Sequence, residues 1–107
     1  MNDMIIVDDR LIKKQLQKIV DKIFKILPLY EERNSTVDSY IESLILEITG
    51  FTSKYGNVGI SEYMSVISTL EGLRGIIDDR GKQPTVKREV FKCIETINKI
   101  SDMLEGG

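Results

Sequence analysis

Glu31, Glu32, Asp38, Glu42 and Glu47 are the densest run of groups that could do chemistry in this chain. Carboxylates placed this closely can share a proton or hold a hard cation. Helical-bundle metal sites that use such glutamates also draw on a Glu-x-x-His pair. The chain has no His. That absence removes the commonest metal ligand and the usual general base together. The single Cys93 excludes a disulfide framework and a thiolate zinc site. Without a His it also lacks the base that usually activates a thiol nucleophile. The five carboxylates therefore read as an acidic surface. The sequence implies no metal, no cofactor and no catalytic residue, and it argues for a non-enzymatic protein.

A second charged feature lies upstream. Lys14, Lys18 and Lys22 step by four residues, with Lys25 close by. Such a stripe could track phosphates or lie on a membrane surface. Nucleic-acid binding normally adds aromatic side chains for base stacking, and none interleave with these lysines. The whole chain is also acidic, at net -2. The stripe reads as the solvated face of an amphipathic helix.

Asp78-Asp79-Arg80-Gly81-Lys82 is the oddest local stretch. Its two Asp would sit at the negative end of a helix dipole if the preceding helix runs to residue 79. A local cost without visible gain points to function. Asp78, Asp79, Arg80 and Lys82 are therefore candidate partner-binding residues. The glycine-containing stretch from Lys54 to Gly59 lacks the Gly-Lys-Ser/Thr ending of a phosphate loop and reads as a turn.

Four helical segments must position these groups. In the first, about 9–27, Ile12, Leu16, Ile19, Ile23 and Ile26 step by 4, 3, 4 and 3. Pro28 should stop or kink it. In the second, about 36–55, Val37, Ile41, Leu44, Ile48 and Phe51 repeat the pattern. Ser35 with Asp38 resembles a capping box at its start. The third, about 61–79, carries Tyr63, Val66, Leu70, Leu73 and Ile77, with Ser61 as the expected N-cap. The fourth, about 86–105, carries Val86, Val90, Cys93, Ile97, Ile100 and Leu104, with Thr85 as the expected N-cap. Gly72 and Gly75 weaken the third helix unless a neighbour approaches closely there. Residues 1–7 read as a tail.

The second helix is more apolar than one stripe requires. Leu44, Ile45 and Leu46 are consecutive. Leu44 and Leu46 project about 200° apart at 3.6 residues per turn. Either the helix buries two faces or a large apolar group meets water. Ile45 and Leu46, with Tyr40 and Glu42, are therefore the leading candidates for a partner-binding face, beside the Asp78–Lys82 corner.

The 107 residues fit one domain with a single core. Equal helices and short connections predict an all-α, compact, antiparallel up-down-up-down four-helix bundle. The alternative is a pair of helical hairpins completed by a homodimer. In length and helical class the chain is similar to small bacteriocin immunity proteins, a likeness that involves no shared motif and carries no function with it. There is no Ala, against sixteen Ile and ten Lys. That composition fits an AT-rich source such as a low-GC bacterium, a phage or a mobile element. Met1 to Arg10 hold three Asp and no basic stretch, unlike a secretory signal. A lone Cys suits a cytoplasmic location. The expected function is protein binding by a regulator, inhibitor or immunity-like protein that acts by occlusion. The alternatives are a nucleic-acid-associated protein using the lysine stripe and a structural subunit of a larger assembly.

Overall fold

Each of the four periodic segments becomes a helix, and their apolar faces meet in one core. The computed structural model describes residues 9–106, together with all their side chains except those of Arg80 and Glu105. The helices are α1 (Asp9–Phe24), α2 (Ile26–Glu31), α3 (Val37–Tyr55), α4 (Ile60–Arg74) and α5 (Gln83–Gly106). A 3-10 turn, Arg80–Lys82, leads into α5. Residues 1–7 lie outside the described residues.

The α1 and α2 segments are one helix broken at Lys25. Pro28 interrupts the helix rather than ending it, the second of the two outcomes its ring chemistry allows. It is carried in the first turn of α2, where a missing N–H leaves no bond unmade. The interruption falls just upstream, where the proline ring would otherwise meet the carbonyl of residue 24. Pro84 is taken up the same way in the first turn of α5, which begins at Gln83 rather than after Thr85.

The bundle is antiparallel throughout. Phe24 near the end of α1 meets Phe91 in the first half of α5. Asp38 at the start of α3 meets Arg74 at the end of α4. Phe51 late in α3 packs edge-on against Tyr63 early in α4. Helix α5 lies between α1 and α4, and α3 closes the ring between α4 and the α1–α2 helix. The α1/α5 seam is therefore on the opposite side of the bundle from the α3/α4 seam.

The core holds 21 buried hydrophobic residues and no buried charged group among the described residues. Every apolar position of the four stepping patterns is buried except Phe51, which is half-buried against the same core. No described helix is long and apolar enough to cross a membrane.

Helix starts and one stop differ from the sequence reading. Asn34, not Ser35, organises the entry to α3. Its Oδ1 accepts from the Thr36 amide at 2.9 Å and from the Thr36 hydroxyl at 2.6 Å. Asp38 is drawn away from capping by Arg74. At the start of α4 the N-cap position belongs to Gly59 rather than Ser61, with φ at 86°. A Cβ there would sit 3.1 Å from Ile100. Both facts favour glycine. Helix α4 stops at Arg74, about one turn before the periodic pattern ends.

Gly72 does not mark a close helix crossing. It is exposed, and a Cβ added to it would meet nothing within 4 Å. Gly72→Ala is therefore expected to stabilise the protein by about 0.5–1 kcal/mol through lower chain entropy in the unfolded state. A urea titration should show a higher midpoint at unchanged slope. A lower midpoint would mean that something does approach the α4 backbone there.

Candidate interaction surfaces

The predicted set of Tyr40, Glu42, Ile45 and Leu46 is divided by the structure. Ile45 is 8% exposed and belongs to the core, whereas Leu46 is 68% exposed. Helix α3 buries a wide face because α4 and the α1–α2 helix flank it on two sides. Tyr40 is half-buried, and its hydroxyl donates to the Lys22 carbonyl at 2.7 Å. Burial, helped by the nearby Glu47 carboxylate, holds its phenol above the ordinary range. It lines a groove of about 390 Å³ between α1 and α3, which Lys22 and Glu47 bridge at 2.9 Å. So one lysine of the basic stripe pairs with one carboxylate of the acidic run, an exposed pair that contributes little.

Glu42 sits in an ion-pair group centred on Arg74. The guanidinium donates to both Asp38 oxygens, at 2.9 and 3.1 Å, and lies 4.0 Å from Glu42 and 3.8 Å from Glu71. The hydrogen bond from Arg74, with its charge, holds the Asp38 carboxyl below the usual range despite some desolvation. A folded pKa below the unfolded value stabilises the fold above the unfolded pKa, about 3.9. That stabilisation is lost as pH falls through the folded value. Thermal melts of Asp38→Asn should thus show a shallower loss of stability on acidification than wild type. Parallel curves would mean that the pair contributes nothing.

The Asp78–Lys82 corner is where the sequence reading mistook the local structure. Because α4 ends at Arg74, Asp78 and Asp79 are not at its dipole end, and the apparent cost disappears. Asp79 instead caps the 3-10 turn, accepting from the Gly81 amide at 2.9 Å. Its carbonyl accepts from the Tyr30 hydroxyl at 2.9 Å. Asp78 and Lys82 are exposed, and the Arg80 side chain lies outside those described. The corner lies at the α2 end of the bundle, apart from Leu46.

Cys93 is 1% exposed, and burial pushes its thiol up to about 12. It is a small apolar core group and stays protonated. Among the described residues no cluster of three metal-ligating side chains is assembled.

Sequence reading missed an exposed aromatic pair. Phe24 of α1 and Phe91 of α5 pack together with ring centroids 6.1 Å apart and planes at 58°. Both remain open to solvent, at 50% and 41%. They lie on the outside of the α1/α5 seam, with exposed Lys87 and Arg88 one turn before Phe91, whereas Lys25, next to Phe24 in sequence, lines the α1/α3 groove. The available signal was positional. Each Phe directly follows a core residue, Ile23 or Val90, so it falls about 100° off the buried stripe.

A second exposed apolar patch lies over the α3/α4 seam. The contacts of Arg74 with Glu42 and Glu71 place those carboxylates along that seam. Leu46 is one turn beyond Glu42 on α3, and Met64 is two turns before Glu71 on α4. Those spacings keep them on the same flank. Met64 is 48% exposed.

Together these features define a four-helix bundle with opposed apolar surfaces in charged surroundings. Comparison with protein-family models, curated proteins and solved structures returns no match.

Proposed function

We propose that this chain is a small non-enzymatic protein-binding module, acting by occlusion as a regulator, inhibitor or protective protein. Its contact face is the Phe24–Phe91 pair. The observation that carries this reading is that two large aromatics from separate helices are braced against each other yet left in water. Rigid aromatic anchors with a charged rim are what strong protein contacts are built from. Lys87 and Arg88 beside the pair favour a partner with an apolar recess and an acidic edge. The unpaired Cys93 suits action in a reducing cytoplasm, and the Ala-free, Ile-rich composition suits a low-GC bacterial, phage or mobile-element source.

The test is an affinity capture from the source lysate with wild type and with the Phe24→Ser/Phe91→Ser double variant, each with and without nuclease. Both substitutions are at exposed positions, and circular dichroism checks that the variant is folded. A stoichiometric protein that survives nuclease and is lost with the double variant supports the reading. A protein retained by the folded double variant overturns the choice of face. Loss of all partners on nuclease treatment overturns the class, in favour of nucleic acid on the Lys14, Lys18 and Lys22 stripe.

A further inference from the structure

The two exposed seams complement each other. Helices α1 and α5 carry nine basic against six acidic residues, whereas α3 and α4 carry two basic against five acidic. The α1/α5 seam presents Phe24 and Phe91 beside Lys87 and beside Arg88, which lies 3.4 Å from Glu89. The α3/α4 seam presents Leu46 and Met64 in line with Glu42 and Glu71. The guanidinium of Arg74 is already committed to Asp38, so these two glutamates keep accepting capacity at longer range. Each seam thus has the chemistry that the other would select: apolar groups in the middle and the opposite charge at the edge.

We propose that the occupant of the Phe24–Phe91 face in the free protein is the α3/α4 seam of a second copy of this chain. This rests on the reading of Phe24–Phe91 as a docking face, and it adds a form of regulation. Self-association covers the face, and a tighter-binding partner uncovers it by displacing the neighbouring copy.

The geometry determines the kind of assembly. The two seams lie on opposite sides of the bundle, so after a single contact one copy still has its α3/α4 seam free and the other its α1/α5 seam. Such head-to-tail contacts do not stop at a dimer. They continue into a filament, or close into a ring if the rotation permits. A face paired with its own copy would instead stop at two.

Sedimentation velocity over a concentration series at low salt tests this, with wild type, Phe24→Asp and Leu46→Asp. Wild type should show average mass rising past the dimer with concentration, less so at high salt. Either substitution should weaken association by about thirtyfold or more, the usual loss at an interface anchor. The decisive sample is the equimolar mixture of the two variants. The Phe24→Asp chain keeps its α3/α4 seam, and the Leu46→Asp chain keeps its α1/α5 seam. Together they should form a one-to-one complex that does not grow. Phe91→Asp and Met64→Asp provide an independent second pair, should either first variant fold poorly.

A wild type that stays monomeric at every concentration, or that stops at two copies, overturns the proposal. So does a mixture that remains monomeric while wild type associates. These failures differ from failure of the docking reading itself. A monomeric wild type that still captures a partner through Phe24 and Phe91 leaves that reading standing.

Discussion

Ile45→Asp is expected to cost about 3–5 kcal/mol of stability, while Leu46→Asp, one residue along, leaves stability nearly unchanged. Ile45 is 8% exposed on the inner side of α3. A carboxylate there loses the apolar contacts and gains no buried cation, since the core holds no charged group among the described residues. An uncompensated buried charge costs about 3–5 kcal/mol. A domain of this size has a total stability of about 5–15 kcal/mol. Leu46 at 68% exposure gives up little burial, so its substitution should stay within about 0.5 kcal/mol. Far-UV circular dichroism with a urea titration reads both. Equal losses for the two variants would mean that the α3 register is wrong.

Tyr63→Phe should make the protein more stable, against the usual direction of core substitutions. Tyr63 is fully buried, and its hydroxyl has no hydrogen-bond partner among the described residues. Burial pushes the phenol up to about 12, so the group remains neutral and can only seek a partner it lacks. A buried polar group left unsatisfied costs about 1–3 kcal/mol. Removing the oxygen keeps the ring, which packs edge-on against Phe51 at 6.0 Å. A gain of 1 kcal/mol raises the melting temperature of a domain this size by about 4–8 °C. A lower melting temperature would show that the hydroxyl is satisfied after all.

The core was legible in the sequence because burial in a bundle follows periodicity. Each helix keeps one face inward along its length, so a step of 4 and 3 residues selects nearly the same positions as the packed structure. The ends of the helices were not legible, because local chemistry competes there. Asp38 suited a cap, but a guanidinium 36 residues away holds it instead. Ile77 continued the α4 pattern, yet the backbone turns after Arg74 with the Gly75 amide bonding to Gly72. Ile77 is still buried, now from a turn. The pairing of Phe24 with Phe91 was hidden for another reason. Each was visible as an off-stripe aromatic, but only the α1–α5 neighbourhood brings them together. The split of Ile45 from Leu46 likewise depends on which helices flank α3, information that one helix's pattern does not contain.

The composition of the core has a consequence for how firmly the surfaces are held. Of the 21 buried hydrophobic residues, ten are Ile and four are Val. Branching at Cβ lowers helix propensity slightly, because in a helix such side chains are almost restricted to one χ1 rotamer. The same restriction means that these chains have little freedom left to lose when they pack. Most of this interior therefore has nowhere else to go. An assembly without alanine gives up some readiness to coil, and in return it holds its exterior on a stiff frame. Phe24 and Phe91 are each preceded by one of these branched residues, so the rings that meet solvent are anchored in the least adaptable part of the molecule.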